Sequence, residues 1–577
     1  MKKSVTAASA LLAASMALAA CNSNNDSESS PSASSSASAA PSASAPASAS
    51  ASTAAVTNEN FPTVHFDLAS TRHVPYSEIT KENVGDLGIV WSQDFKKLDP
   101  SIPNGNQDFT VVVDGVLYAT TSKNHVFAFN AVTGEQLWHW APDQEMLDNM
   151  KNLYIIANRG VAVAEGKVFM LTLDNRLVSI DAKTGQTVKI VKISDAVEGA
   201  TVENGYYETA APIYYNGNIY IGSSGGDNGV RGFEMAYKAS DLTPAWDAPF
   251  WTVPPKGQDW LKNNKFNGGG TVWMPASVDE ETGILYMGTG NPAPDMYGED
   301  RPGANPYTDS VVALDSKTGK LVWAQQLVSH DLWDYDAPMS PMIIKAKING
   351  AERKVVVEGG KSGEWFAFDA ATGEPIYKNV QFIKKIDHPK PTPEGVLISP
   401  GVYGGQNYAP ETYDPDSNYV LIPGVESPNL VKGYEGKKEE VTAFGTTLGE
   451  TPPDIKPYGT VTAIDMNTGK IAYQYDTDHE MRGGFTSTAT GLAFYGELNG
   501  KVRALDIKAG KIVWEFQLPG DNVMSAPSIF TQNGKEYIAF TSGGTKPQIY
   551  VFALGGDKTQ GQSADEKVEG GVDHSAK

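Results

Sequence analysis

One cysteine in 577 residues, and 46 basic side chains against 68 acidic ones, are the two scarcities that narrow this sequence most. A single thiol, Cys21, forms no internal disulfide and cannot supply the C-x-x-C-H pair that a covalently attached c-type haem requires. The shortage of lysine and arginine leaves a net charge of −22, which argues against a nucleic-acid partner, because such binders are basic. Long apolar runs are scarce too. The one at the start, MKKSVTAASALLAASMALAAC, is too short and alanine-rich for a transmembrane anchor, and no other stretch reaches spanning length. Helical periodicity is also missing: no substantial amphipathic helix interrupts the strand patterns of the body.

Two lysines, an apolar stretch and small residues make residues 1–20 a secretory signal. Leu18-Ala19-Ala20-Cys21 resembles a bacterial lipobox, so Cys21 is the expected lipidation site. Residues 22–57, almost all Ser, Ala, Pro and Asn, cannot bury enough apolar surface to offset their ordering entropy. The lipidated cysteine and this flexible tether together make up 21–57, the globular part is expected over 58–555, and a disordered tail over 556–577. The expectation is an exported protein held at a membrane by its N-terminal lipid and facing the periplasm. Asn22 offers no inner-membrane retention signal, so the outer membrane is preferred.

The body repeats. An alternating apolar strand ends in Asp or Asn, a T-G turn follows, and an aromatic stands eight residues after the acidic position. The copies run Asn130 to Trp138, Asp315 to Trp323, Asp369 to Tyr377, Asp465 to Tyr473 and Asp506 to Trp514, with weaker ones at Asp181 to Lys189 and Lys238 to Trp246. In D-x-x-T-G the acid caps the turn and Gly takes positive φ. A second strand pair with its own Asp-Gly, Glu-Gly or Asn-Gly turn precedes most copies, giving four short strands per unit. Four-stranded sheets repeated around an axis make a β-propeller. Seven copies and the separated half ending at Trp91 predict an all-β fold of eight four-stranded antiparallel blades. The N-terminal strand near Trp91 closes the ring against the C-terminal strands, and the recurrent Trp or Tyr wedges between blades. Two gaps between aromatics, Trp246–Trp323 and Tyr377–Tyr473, are longer than the rest and mark where a site is built.

Six segments, GSSGGDNGVRG, GGGTVW, MGTGNPAP, SHDLWDYDAP, GGKSGEWFAFD and GGQNYAP, together resemble the motifs of the pyrroloquinoline quinone (PQQ)-dependent alcohol dehydrogenases, eight-bladed propellers with a tryptophan-docking repeat. The resemblance runs from about residue 60 to 555 with the motifs in family order. In GSSGGDNGVRG, Ser224, Gly225 and Gly226 match a segment that lines the quinone, and Asp227 stands where the family has a metal-binding Glu. In GGGTVW, Thr271 resembles a polar edge contact and Trp273 the tryptophan that stacks on the quinone. Asn291 of MGTGNPAP matches an amide ligand to the metal. SHDLWDYDAP carries three aspartates. Asp334 matches the catalytic base, and Asp336 occupies the position of a further metal ligand in lanthanide-type methanol dehydrogenases. Residues i and i+2 of an extended segment share a face, so Asp334 and Asp336 are expected to meet one cation together. Lys361 matches a donor to a quinone carbonyl, and Asn407, Arg159 and Thr209 match further cofactor contacts. Gln107 stands where the family often has Glu, and Leu153 and Tyr154 replace its adjacent cysteines, with Tyr154 a candidate cover for one quinone face.

The resemblance implies PQQ, a hard cation bound by Asp227, Asn291, Asp334 and Asp336, and oxidation of a small alcohol with Asp334 as base and Lys361 as electrostatic support. Three carboxylates favour a lanthanide(III) over Ca2+ at this all-oxygen site. Electrons then pass to an external acceptor, a cytochrome or a copper protein. Two alternatives share parts of the pattern: a non-catalytic propeller lipoprotein that scaffolds outer-membrane assembly, and a quinoprotein acting on sugars or polymeric alcohols.

Overall fold

The computed structural model describes residues 59–559 apart from 154, 435, 437–439, 449–451 and 521. The signal, Cys21, the tether, Tyr154 and most of the expected tail lie outside the described residues. Each repeat folds as one antiparallel sheet. The first blade orders Val111–Val113, Val116–Thr120, Val126–Asn130 and Gln136–Trp140 side by side. Its opening hairpin turns through Asp114 at φ 51° and Gly115 at φ 79°. Positive φ at both central residues is the turn whose twist matches the strands it joins.

Eight blades follow one another around the ring. In the last, Ser528–Gln532, Lys535–Ser542 and Gln548–Leu554 accept Leu87–Asp94 as their outer strand, with Leu87 opposite Leu554. This is the closure expected from Trp91. Past the expected end of the propeller, Ile89 and Asp557 donate to each other's carbonyls at 2.9 Å. An accessory three-stranded sheet of Val396–Ile398, Asn429–Gly433 and Thr446–Leu448 fills much of the second long gap.

The eight-residue spacing has a direct cause. Each aromatic reaches the next blade's T-G turn, where its polar atom donates to the carbonyl one residue past the acid: Trp138 to Ala182 at 3.0 Å, Trp246 to Ser316 at 2.9 Å, Trp323 to Ala370 at 3.0 Å and Tyr377 to Met466 at 2.6 Å. The ring lies flat against the turn glycine. At the irregular copy Lys189 replaces the aromatic, and its ammonium donates to the Asp241 carbonyl in the next turn.

This docking sets a testable contrast. A Cβ on Gly373, at φ +74°, would sit 2.7 Å from the Trp323 ring, whereas one on Gly350, at φ +82°, meets nothing within 4 Å. Both alanine substitutions incur the left-handed penalty of about 1–2 kcal/mol. Only Gly373→Ala adds the overpacking cost of about 1–3 kcal/mol. Urea unfolding is expected to rank Gly373→Ala well below Gly350→Ala, and equal losses would refute tight docking.

Candidate active site

Strands alternate in direction within a blade. The loops that enter each first strand and those joining second to third strands therefore open on one rim. Gln107, Arg159, Thr209, Thr271, Trp273, Asp334, Asp336, Asn407 and Arg482 lie on entry loops of successive blades, while Ser224, Gly225, Gly226, Asp227, Asn291 and Lys361 lie on second-to-third-strand loops. All of these line one cavity of about 420 Å³. That volume and a few convergent polar groups suit a small-molecule site. A larger hollow of about 620 Å³, walled by Val64, Phe66, Val161 and Ile213, gathers none of the residues expected from the sequence.

The floor is ionic. The Lys361 ammonium donates to Asp334 Oδ1 at 2.9 Å and lies 2.8 Å from Asp336 Oδ2. Lys361 is thus the positive group among the clustered aspartates. Asp336 Oδ1 accepts the Asn291 backbone N–H at 2.6 Å, which ties the fourth blade to the fifth. Burial raises the Asp334 carboxyl well above its usual range, Lys361 opposes this, and Asp336 and Asp227 add to it. Burial would lower the Lys361 pKa, but Asp334 and Asp336 raise it overall, so the ammonium stays charged.

Asp334 and Asp336 do not meet through an extended segment, contrary to the sequence expectation. Asp334 has φ 65°, a left-handed conformation that Asp tolerates better than bulkier residues. Asp331 holds this turn in place. Its Oδ1 accepts the Trp333 N–H at 3.0 Å and its Oδ2 the Tyr335 N–H at 2.9 Å, and the Tyr335 hydroxyl donates to Pro400 O at 2.6 Å. The third aspartate of the motif is therefore a local scaffold.

The wall is cationic and aromatic. Arg159 donates to Thr209 Oγ1 at 2.5 Å, and Thr209 lies 3.1 Å from Ser224 Oγ. The Arg159 guanidinium sits 5.0 Å from the Trp273 ring and 4.8 Å from the Tyr408 ring, while Arg482 lies 4.1 Å over Tyr403. Burial lowers the Arg159 pKa to about 10, which leaves it charged at neutral pH. Gly225, at φ 101°, passes so close to Gly205 that a Cβ would lie 2.3 Å from its carbonyl oxygen, so only glycine fits where the backbone lines the cavity.

Several residues of this region escaped the sequence reading, among them Tyr403 and Tyr408 of the wall and three charged groups. Arg482 adds a third cation to the cavity. Asp295 is fully buried, both of its carboxylate oxygens lack a hydrogen-bond partner among the described residues, and burial together with Asp227, Asp334 and Asp336 pushes its carboxyl well up. Arg301 braces the loop that carries Asn291 and Asp295, donating to Pro294 O at 2.9 Å and Asp295 O at 2.8 Å. The phrase GNPAPD held the signal for Asp295: an acid placed four residues after a candidate ligand.

The donor set fits both groups that the sequence implied. Asp227, Asp334 and Asp336 bring three carboxylates to the cavity beside the Lys361 ammonium, with Asp295 buried near them, a cluster of acidic oxygens that suits a hard, oxygen-liganded cation. Arg159 Nε, Gln107 Oε1, the Tyr408 hydroxyl and Arg482 Nε are buried without a hydrogen-bond partner among the described residues. A planar, polycarboxylated ligand would satisfy the three donors among them, since guanidinium groups pair bidentately with carboxylates, and an N–H on the same ligand would satisfy Gln107 Oε1.

The chain matches the PQQ glucose/ethanol/alcohol dehydrogenase β-propeller domain over residues 61–382 and 379–538. It is 30% identical over 531 residues to the quinohemoprotein alcohol dehydrogenase of Comamonas testosteroni, covering 85% of this chain and 73% of that protein. The structure of quinohemoprotein alcohol dehydrogenase ADHIIG from Pseudomonas putida HK5 superimposes with a TM-score of 0.78 at 27% identity, covering 88% of this chain and 82% of that one. A europium-containing methanol dehydrogenase shares the fold, with a TM-score of 0.74 at 24% identity, covering 86% of this chain and 98% of that one.

Proposed function

The chain belongs to the PQQ-dependent alcohol dehydrogenase family and is an enzyme of that class, and on this premise we propose that its rim cavity oxidises a small alcohol with Asp334 as general base. The observation that carries the reading is the Lys361 ammonium bridging Asp334 and Asp336 on the floor of a cavity walled by arginines.

When bound, the ortho-quinone supplies the hydride acceptor and the cation a Lewis acid. The chain supplies the rest. Asp334 takes the hydroxyl proton of the alcohol. Lys361, fixed between two carboxylates, presents a preorganised positive charge to negative charge developing on oxygen. It also pulls the Asp334 pKa down against burial without cancelling it, and a bound cation beside Asp227 would act in the same direction and favour the ionised base. Arg159, Arg482, Thr209 and Ser224 hold the cofactor's carboxylates, and Trp273 offers a ring face. Ile155, Val402, Tyr403 and Phe444 complete the lining, which favours an alcohol with an apolar body over a sugar.

Three carboxylates at the cavity, Asp227, Asp334 and Asp336, with the buried acid Asp295 beside them, favour a lanthanide(III) over Ca2+. With Cys21 the only cysteine, electrons leave through an external acceptor, a cytochrome or copper protein. A lipid on Cys21 would hold the enzyme at the periplasmic face of the outer membrane.

Reconstitution of the purified protein with PQQ and either Ca2+ or La3+, followed by a dye-linked assay over an alcohol panel, tests this reading. Turnover of primary alcohols with La3+ above Ca2+ is expected. Absence of quinone binding would return the chain to a scaffold role.

A further inference from the structure

We propose a second metal site, apart from the catalytic cavity, in which Asp99, His125 and His139 bind a late first-row divalent ion such as Zn2+ or Cu2+ and clip the closing blade to the first.

The three residues reach one point from two blades. His139 lies on Gln136–Trp140 opposite Phe127, and its ring stacks on that of Phe127 at 4.1 Å with planes 1° apart. His125 immediately precedes Val126–Asn130, and its Nδ1 lies 3.0 Å from His139 Nε2. Asp99 arrives from the closing blade, capping the short helix Phe95–Leu98 that follows the outer strand Leu87–Asp94. Its Oδ1 is held by the Ser101 N–H at 2.9 Å and hydroxyl at 2.7 Å, which aims Oδ2 toward His125 Nδ1 at 3.7 Å.

Candidate ligand atoms of all three residues lie within 4.8 Å of one another. Ligands bonded to one tetrahedral ion at 2.0–2.2 Å stand about 3.3–3.6 Å apart, and the 3.0 and 3.7 Å separations bracket that spacing. Two imidazoles and one carboxylate select zinc or copper rather than the hard cation of the main site. A fourth position is left for water.

The two imidazole nitrogens face each other across the gap an ion would fill. Burial, aided by His139 and opposed by Asp99, lowers the His125 pKa to about 4, and burial lowers that of His139. Two neutral rings with nitrogens 3.0 Å apart share one proton between them, and when an ion enters, the donor ring carries that proton on its other nitrogen, leaving two lone pairs facing the ion. His125 is buried while Asp99 and His139 are half-buried, which leaves an entry path. The catalytic cavity is lined by no histidine, so its side chains cannot supply a two-histidine signal, and loss of that signal in His139→Gln assigns it to this site.

The test adds one equivalent of Cu2+ to tag-free, PQQ- and cation-loaded protein. The expected EPR spectrum carries splitting from two nitrogens, and Zn2+ competes it away while raising the unfolding temperature. Asp99→Asn is expected to weaken Zn2+ binding at least tenfold, and His139→Gln to abolish the two-nitrogen signal, both with dehydrogenase activity retained. A copper spectrum lacking two-nitrogen splitting, or unchanged zinc affinity in both variants, would overturn the site and leave a plain histidine–histidine hydrogen bond. Neither outcome touches the quinone reading, which the alcohol assay decides separately.

Discussion

Asp334→Asn is expected to lower kcat of the quinone-loaded enzyme by about 10²–10⁴-fold, the range that a positioned general base contributes. Asparagine keeps the shape of the side chain and tolerates the left-handed backbone at φ 65°, so the turn that Asp331 braces should persist. It still offers Lys361 an amide oxygen in place of Oδ1, so the ammonium keeps two acceptors. What disappears is the proton acceptor. One carboxylate of the floor is lost as well, so the assay is run at saturating cation, with metal content and quinone absorbance measured on the same sample. Full metal and quinone loading with normal turnover would refute the base assignment. Loss of loading at every cation concentration would show that Asp334 binds the ion first and acts on substrate only through it.

The melting temperature is expected to fall by on the order of 10 °C between pH 5 and pH 8. The cause lies in carboxylates sealed inside the blades. Burial raises Asp108, Glu426, Glu497 and Glu536 to about 7, and Glu234 and Glu411 to about 8. Unfolded, such groups titrate near pH 4. The folded chain therefore holds protons that the unfolded chain has released. The stability these protons lend is fully present below about pH 4 and is lost as pH rises through 7 to 8. Partial compensation exists, since Thr120 donates to Asp108 at 2.8 Å and Trp365 to Glu411 at 3.3 Å, yet burial is the largest influence on each group. A melting temperature that is flat or rising from pH 5 to 8, followed by calorimetry in buffers of matched ionic strength, would contradict this account.

The ring was legible from the sequence because its spacing obeys a contact rule. An aromatic must fall eight residues after the acid to reach the next blade's turn glycine, so every blade left a local mark, even where Lys189 replaced the ring. The fourteen residues expected around the quinone and cation also share one cavity, because each sits on a loop that opens on the same rim. What stayed hidden depended on convergence. Nothing near Arg482 marks it as a cavity residue, since its meaning comes from Tyr403 and Tyr408, remote in sequence. Asp295 reads as an ordinary turn acid until the loop folds back under Arg301. The pairing of Asp334 with Asp336 was anticipated for a wrong reason: the sequence pattern pointed to an extended segment, whereas a left-handed residue and an ammonium bring the two carboxylates together.

Leu87 opposite Leu554 places the last hydrogen-bonded seam of the ring between the two ends of the folded chain. A ribosome or translocation channel releases those ends at opposite extremes of synthesis. Until the final strand emerges, the eighth sheet lacks a partner and Leu87–Asp94 waits with an open edge. An unpaired strand edge invites pairing with another chain, so a holding factor that shields this one early strand is expected to lower aggregation during synthesis.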